Sequence, residues 1–588
     1  MKMSPRVNRL VQKLREGVCH EELWPHMETL ARWEKPAGSP GERRALEYIA
    51  KVMKGYGWKV EAMNPRVYLS LPVAAKLRAL GRSPFDAECI THPYSVSTPK
   101  GGLEAPLVFL SEKERGEKPG ERDLEGKIAM IVGLATNQLV QTAESRGAVA
   151  AVFINDDELH NMALSSVWGT PTPESAPRLP HIPVVSLRWD DGQRLRKMGP
   201  GARVRVHSTV WSGFKSLPML RCQLRPANRL ADPDTYVLFS GHVDTWYIGA
   251  GDNGSANVAM MEVARLLALN RKELRRGAEM NFWSGHSQGR YAVSAWFADH
   301  NWERMNRCCA AHVNFDTTGG GGMTVYDEHP VVKELEDLAG HAIATMIGRK
   351  AKPSRLSRTG DHSFMGIGIP ASFSVINRVP AGVQTKITLG ARAGGGNPWW
   401  WHSVHDTLDK MDPEILEKNT RIYATMAGAL CGEAVLPLNY AKTAKEILDV
   451  LKRYQKAAGK RFDLGPSLAE GRRLVALAGQ LERRRLSLIP KDGKGAARAA
   501  SARVNQCLMR LGRILIPVNY SEVDRFDQDA ARPIPPVPRL RAVGRLSGMD
   551  PKSNAFGFLV TRLTRSRNRV VHELQQACMA IEETIAAR

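Results

Sequence analysis

Between residues 217 and 440, short apolar runs alternate with helical patterns, which predicts a mostly parallel sheet covered by helices on both faces. Residues 236–240 (YVLFS) are apolar up to a final small residue, a pattern typical of a buried strand. A helical pattern begins at Ala256. Further strands are predicted at EMNFWSG, AAHVNFDTTG and IPASFSVI, and helices at VSAWFADHNWERM and HPVVKELEDLAGHAIATMIG. The predicted fold class is therefore α/β.

The pattern differs on both sides of this region. Residues 22–54 predict two helices around a Gly-Ser-Pro-Gly turn, with Ser39 as the cap of the second helix and Pro40 at its first position. The stretch WKVEAMNPRVYLSL then predicts one strand. Residues 70–215 carry strand-like runs around one helical stretch, which predicts a compact β-rich insert with a β-α-β unit.

The C-terminal part predicts a bundle of helices, because its apolar positions recur with a helical period. The Pro-rich segment RPIPPVPRLRA interrupts this pattern, and we interpret it as an ordered or docking linker. We therefore expect four segments: 1–69 and 216–440 as the two parts of the α/β domain, 70–215 as the insert, and 441–588 as a helical domain.

Composition narrows the class of protein. The chain has 588 residues, of which 43% are hydrophobic and 24% are charged, as expected for a folded protein with several domains. Its net charge of +23 comes without a nucleic-acid-binding motif, so we interpret it as a solvated basic face. No run approaches the roughly 18 apolar residues of a membrane span, so we expect no membrane partner. The eight cysteines form no CxxC pair, which together with the lack of a secretion-signal pattern predicts a cytoplasmic location.

Candidate metal ligands surround the end of the first predicted strand. His242 and Asp244 follow residues 236–240, and Asp252 precedes the next helix. Ligands bind at the carboxyl ends of strands in open α/β sheets, and imidazole and carboxylate suit zinc and similar ions. Asp244 is placed to accept the second N–H of the His242 imidazole and to fix its tautomer. Taken alone, the stretch equally fits a polar turn in which Asp252 or Ser255 caps the helix.

Three more polar side chains follow strands in the same way. His286 follows FWSG, Asp316 closes VNFD, and His402 lies in the loop WWWHSVHDT. Single His and Asp residues at strand ends are common. The order His-x-Asp, Asp-Asn-Gly-Ser, Asn-x-Asp and His-Ser-x-x-Asp-Thr on an alternating α/β pattern is much more specific.

With these motifs the chain resembles the zinc-dependent aminopeptidases and glutamate carboxypeptidases that have a two-metal site. The resemblance covers most of residues 22–440 and includes METLARWEKPAGSPGERRALEYIAKVMKGYGWKV near the start. It implies that the insert is a protease-associated domain and that the C-terminal helices correspond to a dimerisation domain, so we expect a homodimer. It also implies roles for individual residues: metal ligands His242, Asp252, Asp316 and His402, the His242 partner Asp244, and the substrate-side pair Asp361 and His362.

One departure from this family affects its catalytic acids. The family has two consecutive glutamates, a general base and a metal ligand, where this chain has His286 and Ser287. An imidazole suits either a base or a ligand role near neutral pH, whereas a serine hydroxyl is a poor zinc ligand. Arg290 and Tyr291 follow in the same loop and are candidate substrate-binding residues. Arg290 is suited to bind a carboxylate bidentately, although a surface cation at the start of a helix is the alternative.

Three functions stay open at this point. We favour a metal-dependent amide hydrolase, an exopeptidase that acts on a peptide end or an acylated amino acid, with one or two divalent ions, expected to be zinc. Loss of the acidic pair also fits a non-catalytic relative that binds peptides or a partner. GHSQG in addition matches the GxSxG elbow of serine hydrolases, with Ser287 as nucleophile and His402 and Asp406 as partners. That reading leaves His242 and Asp252 unexplained.

Overall fold

Two eight-stranded sheets organise the chain. The structure, a computed structural model, describes residues 1–116, 118, 120–373, 375–383, 385–389, 395–492, 495 and 497–587. The first sheet, called the central sheet here, has these strands in spatial order: Lys59–Met63, Met219–Leu224, Gly277–Trp283, Tyr236–His242, Cys309–Asn314, Ala371–Ser372, Glu328–Val331 and Lys352–Arg355. Val379–Pro380 and Gly395–Gly396 form a separate two-stranded pair.

The middle of the central sheet is parallel, as the alternating pattern predicts. Tyr236–His242 pairs in parallel with Gly277–Trp283 on one side and with Cys309–Asn314 on the other, and all seven of its residues are buried. Its side chains alternate between two cores: Val237 and Phe239 pack in one, and Tyr236 and Leu238 pack in the other. The expected strand covered on both faces is confirmed.

Helices cover both faces of the central sheet, and four further α-helices follow it in the part of the chain that the structure describes. Ser39 accepts a hydrogen bond from the N–H of Glu42, and Pro40 is the first helical residue, so the predicted cap is confirmed. None of the described helices has an apolar stretch that could cross a membrane. The helices of the α/β domain are Pro5–Glu16, His20–Leu30, Pro40–Gly55, Ala256–Leu269, Ala292–His300, Trp302–Cys308, Glu336–Ile347 and Pro413–Gly432; those of the C-terminal domain are Tyr440–Ala458, Gly465–Leu488, Ala497–Tyr520 and Asn554–Ala586.

The insert is built on the second sheet. The predicted β-α-β unit is confirmed, with Ile128–Val132, the helix Asn137–Ser145 and the parallel strand Ala150–Ile154. A second helix, Trp189–Lys197, packs beside it. The strands of this sheet, in spatial order, are Phe85–Ala87, Arg66–Ala79, Arg203–Ser216, Leu103–Leu110, Ile128–Val132, Ala150–Ile154, Val184–Leu187 and Cys89–Thr91.

Some predicted elements divide in the structure. WKVEAMNPRVYLSL forms two strands in different sheets rather than one, because Pro65 between them has no N–H for a ladder. VSAWFADHNWERM is broken at Asn301, whose φ of −121° is not helical. HPVVKELEDLAGHAIATMIG begins as the strand Glu328–Val331, which pairs with Lys352–Arg355, and becomes helical only afterwards. Long-range pairing outweighs local helical periodicity there.

A segment of the C-terminal domain docks between the two sheets. We call residues 528–533 the strap. The N–H of Ala531 donates to the carbonyl of Ser166 in the insert at 2.9 Å. Asp529 forms a salt bridge of 3.5 Å with Arg358 of the α/β domain, and these side chains are only 2% and 4% exposed. The strap is therefore a structural joint between the three parts of the chain.

Replacing Asp529 with alanine should destabilise this joint. Arg358 would keep a buried guanidinium without its carboxylate, which typically costs about 3–5 kcal/mol. We expect a clear fall in the thermal unfolding midpoint and faster proteolysis around the strap. Arg532→Ala is the control, since Arg532 is 45% exposed and its pair with Glu522 should contribute less than about 1 kcal/mol. Equal melting temperatures for Asp529→Ala and the parent chain would contradict the stabilising role of the Arg358–Asp529 salt bridge.

Candidate metal centre

His242 is the last residue of a buried strand, and its ring orientation is fixed by the backbone. Its Nδ1 donates to the carbonyl oxygen of Asp244 at 2.8 Å, which leaves Nε2 as the nitrogen with the lone pair. Nε2 lies 3.1 Å from Oδ1 of Asp252 and 3.8 Å from Oδ1 of Asp316. Three predicted ligands therefore meet at one point.

Asp252 connects this point to the fourth predicted ligand. It lies on the irregular turn Ala250–Ser255, and its Oδ2 is 2.9 Å from Nε2 of His402. The Nδ1 of His402 donates to the carbonyl of Asn161 in the insert at 2.6 Å, so this ring is also held by a backbone oxygen. The Asp406 carboxylate accepts the N–H groups of Gly251 and Asp252 at 2.6 and 2.9 Å and so holds the turn. One carboxylate thus spans two imidazoles, which is the arrangement of a bridging ligand.

Two buried atoms of this cluster fit a bound cation. Nε2 of His242 and Oδ1 of Asp252 have no hydrogen-bond partner among the residues that the structure describes. Burying such atoms without a partner is costly, whereas imidazole nitrogen and carboxylate oxygen are ordinary zinc ligands. Burial would lower the pKa of His242, but the carboxylates of Asp252 and Asp316 outweigh it and raise that pKa well above the ordinary value. A positive charge is therefore favoured here, and a metal ion can supply it.

His286 lies against this cluster. Its ring stacks on that of His242, with centroids 3.7 Å apart and planes at 15°. Its Nδ1 donates to Oδ2 of Asp361 at 3.0 Å. Potential ligand atoms of His242, His286 and Asp316 all lie within 4.8 Å of one another, so these three side chains can share an ion. The imidazole of His286 therefore lies within the candidate metal centre.

The carboxylate of Asp244 has a different partner from the predicted one. It accepts the N–H groups of His286 and Ser287 at 3.0 and 2.9 Å, while its backbone carbonyl holds His242. Asp244 therefore ties the loop of His286 to the strand end of His242. Glu42 lies beside it, and burial followed by repulsion from Asp244 raises the pKa of Glu42 well above its ordinary value.

A cavity of about 470 Å³ opens over the cluster. All three parts of the chain line it: Met162 comes from the insert, His286 and Arg290 from the α/β domain, and Ala531 from the strap. Tyr291 also lines the cavity, with its ring edge-on to that of His286 at 4.7 Å. Two of the four candidate substrate residues, Arg290 and Tyr291, are therefore at its wall.

The other two candidate substrate residues lie behind that wall. Asp361 accepts hydrogen bonds from His286 and, at 2.7 Å, from the hydroxyl of Ser294. His362 donates from Nδ1 to the carbonyl of Thr359, and burial lowers its pKa to about 4. Neither residue is part of the cavity lining. Asp361 instead orients His286, a role that the spacing in the sequence does not indicate.

The residues proposed for a serine triad do not come together. Both ring nitrogens of His402 are engaged, one by Asp252 and the other by the carbonyl of Asn161. The Asp406 carboxylate accepts backbone N–H groups on the metal-side turn and contacts no imidazole in the described part of the chain. Ser287 lies at the cavity wall without either partner. Among the described residues, neither His402 nor Asp406 is therefore placed to act with Ser287 of the GHSQG motif as a catalytic triad.

Comparison with known families agrees with this geometry. Residues 222–427 match the family model described as Peptidase family M28, and residues 103–195 match the PA domain. The chain contains an M28 peptidase domain. The match lies on the central sheet and includes every candidate ligand, while the PA match lies on the insert. The expected α/β fold with a protease-associated insert is confirmed.

Relatives of this M28 domain are distant. The chain is 22% identical to the probable leucine aminopeptidase 2 of Aspergillus oryzae over 284 residues, covering 47% of this chain and 54% of that protein. It is also 22% identical to the probable glutamate carboxypeptidase VP8 of Zea mays over 495 residues, covering 71% and 67%. The chain thus spans about half of the first relative's length and about two thirds of the second's.

Two solved structures share the fold. A Peptidase M28 precursor from Shewanella amazonensis SB2B superposes with a TM-score of 0.56 at 18% identity, covering 73% of this chain and 97% of that one. BSAP, a zinc aminopeptidase from Bacillus subtilis, superposes with a TM-score of 0.50 at 20% identity, covering 70% and 95%. At these identities the likeness concerns the fold alone.

Residues that support the cluster are harder to find in the sequence than the candidate ligands. Asp406 is visible only as part of His-Ser-x-x-Asp-Thr, and burial raises its pKa to about 7. Glu42 accepts the N–H of Gly38 at 2.6 Å and so looks like an ordinary helix-start acid. Lys35 is fully buried, and this burial lowers its pKa to about 8. The fold brings these residues to the site from distant positions of the chain, so no local spacing in the sequence reveals them.

Removing the carboxylate of Asp252, which lies between His242 and His402, should strongly weaken metal binding. Asp252→Asn leaves a neutral oxygen between two imidazoles, so we expect zinc affinity to fall by more than about 100-fold. Calorimetric titration of chelator-treated protein with zinc measures this directly. Ser287→Ala is the matched control, since it changes a polar residue of the same cavity that is not a predicted ligand. Unchanged zinc affinity in Asp252→Asn would refute the assignment of the site.

Proposed function

We propose that this chain is a metal-dependent hydrolase of amide bonds. The observation that carries this proposal is the convergence of His242, Asp252 and His402, with Asp316 beside them, around unpartnered buried ligand atoms at a cavity floor. These residues would hold a divalent ion, zinc by the ligand chemistry, and such an ion would supply an acidified water and a Lewis acid for the amide carbonyl. One or two ions fit a carboxylate that faces two imidazoles.

His286 is the general base in this proposal. Because its Nδ1 donates to Asp361, its other nitrogen keeps the lone pair and can accept a proton at Nε2. Burial would raise the pKa of Asp361, but the neighbouring His286 imidazole outweighs it and lowers that pKa, so the carboxylate stays charged. A charged Asp361 stabilises the imidazolium that forms on proton transfer. The imidazole then returns the proton to the leaving amine. A His–Asp pair thus replaces the glutamate base of the family that the chain resembles.

The size and walls of the cavity support action at chain ends. A volume of about 470 Å³, closed on one side by the strap, suits one or two residues of a peptide or a small acylated amino acid. The printed names of the two relatives, a leucine aminopeptidase and a glutamate carboxypeptidase, both describe exopeptidases. We therefore propose an exopeptidase, while a homodimer formed by the C-terminal helices and a cytoplasmic location stay predictions.

A variant at His286 tests whether this residue acts as the general base or as a metal ligand. If His286 is the base, His286→Gln should lower kcat by about 10²–10⁴-fold on any accepted peptide while zinc affinity stays close to that of the parent chain. Steady-state kinetics of zinc-loaded protein and zinc titration measure the two effects. Ser287→Ala, next to it in the loop, should retain most activity.

Three results would count against this account. Full turnover by His286→Gln would remove the imidazole from the mechanism. A joint loss of zinc and turnover would make His286 a metal ligand instead of the base. If the zinc-loaded parent chain cleaves none of a panel of aminoacyl and N-acyl peptides, the binding-protein alternative replaces the hydrolase.

A further inference from the structure

A series of hydrogen bonds leads from the insert to His286. The indole Nε1 of Trp168 donates to the hydroxyl of Ser363 at 2.8 Å, and that hydroxyl lies 2.9 Å from the hydroxyl of Ser294. Ser294 in turn donates to Oδ1 of Asp361 at 2.7 Å, while Oδ2 of the same carboxylate accepts from Nδ1 of His286 at 3.0 Å. We call the three residues Trp168, Ser363 and Ser294 the relay.

The hydrogen bonds of the relay all run in one direction. An indole N–H can only donate and a carboxylate can only accept, so the two ends fix the directions between them. The one hydroxyl proton of Ser294 goes to the charged Asp361 at 2.7 Å in preference to the carbonyl of Tyr291 at 3.2 Å. Ser294 therefore accepts from Ser363, and Ser363 accepts from Trp168. Every proton of the relay is directed toward Asp361.

Water is kept away from these contacts. Ser294, Asp361, Ser363 and Trp168 are 0%, 1%, 1% and 2% exposed. A hydrogen bond to a charged carboxylate is strong in such a place, and it holds the carboxylate in one rotation about its own axis. Because Ser294 binds Oδ1, the other oxygen, Oδ2, is the one that meets the ring of His286.

The strap supports the far end of the relay. The guanidinium carbon of Arg358, which pairs with Asp529 of the strap, lies 4.1 Å from the centroid of the Trp168 ring. Gln528 of the strap donates from Nε2 to the carbonyl of Ser363 at 3.0 Å. The insert and the C-terminal domain therefore hold the relay in place, although neither of them carries a candidate metal ligand.

We propose that Trp168, Ser363 and Ser294 are positioning residues for the proton transfer at His286. This inference rests on the proposed hydrolase function. By fixing the orientation of Asp361, the relay keeps the proton of the neutral imidazole on Nδ1 and leaves Nε2 free to accept one. Without the relay the carboxylate can rotate, and the imidazole carries its proton on either nitrogen. The relay thus selects the tautomer that is able to act as a base.

Two single substitutions break the relay without changing the cavity wall. Trp168→Phe removes the indole N–H and keeps an aromatic ring beside Arg358, whereas Ser294→Ala removes the hydroxyl that binds Asp361. Neither residue is part of the cavity lining. With zinc-loaded protein we expect kcat to fall about 2- to 10-fold for Trp168→Phe and about 10- to 100-fold for Ser294→Ala. KM and zinc affinity should stay close to those of the parent chain.

Trp302→Phe is the matched control, since the Trp302 indole nitrogen is buried and has no hydrogen-bond partner among the residues that the structure describes. It should keep the kcat of the parent chain. If Ser294→Ala does not fold, Trp168→Phe against Trp302→Phe decides the question. An equal kcat in these two variants would then overturn the relay.

The tautomer of His286 gives a readout that does not depend on turnover. Two-bond ¹H–¹⁵N correlation spectra of histidine-labelled, zinc-loaded protein at about pH 9, where imidazole is neutral, report which ring nitrogen carries the proton. Comparison with His286→Gln assigns the signal. The parent chain and Trp302→Phe should show the Nδ1–H form alone, and Ser294→Ala should show a mixture of both forms.

The outcomes separate this inference from the proposed function. Turnover by the parent chain, with the same kcat and the same tautomer in Ser294→Ala, would overturn the relay and leave the hydrolase standing. No turnover of any peptide by the parent chain, together with mixed tautomers in Ser294→Ala, would overturn the hydrolase and support the relay as the element that orders His286. Mixed tautomers in the parent chain itself would overturn the relay.

Discussion

The contact of one carboxylate with two imidazoles is the interaction on which the site depends. Asp252 lies 3.1 Å from His242 and 2.9 Å from His402 through its two oxygens, and Asp406 holds its backbone from below. In a buried place this geometry is stable only if positive charge is present, whether from protons or from a metal ion. Ligand chemistry favours the ion, because both imidazoles have their second nitrogen bonded to a backbone carbonyl.

All three parts of the chain contribute to the enclosure of this centre. The α/β domain supplies the candidate ligands, the insert supplies the carbonyl of Asn161 that orients His402, and the strap of the C-terminal domain closes one side of the cavity. The salt bridge of Arg358 with Asp529 joins the α/β domain to the strap at a place where nearly all solvent is excluded. The large insert and the helical domain are thus direct parts of the site.

Sequence alone places His242 and Asp316 because strand ends are locally encoded, whereas Asp252 and His402 lie on loops and are expected from the motifs of the family that the chain resembles. Each ligand-bearing strand is a short apolar run, and the polar residue after it must lie at the carboxyl edge of the sheet. The supporting contacts are not encoded in this way. Asp361 meets His286 across 75 positions of the chain, and only the fold shows that it is a partner and not a substrate residue. The strand Glu328–Val331 shows the same limit, since its pairing with Lys352–Arg355 outweighs a helical pattern.

The most direct test of this account is a crystal structure of the zinc-saturated chain with anomalous data collected at the zinc edge. The account predicts an anomalous peak within about 2.0–2.2 Å of Nε2 of His242 and of an oxygen of Asp252. A second peak near His402 would make the centre binuclear, and its absence would make it mononuclear. Zinc-saturated crystals with no anomalous density between His242 and His402 would contradict the account.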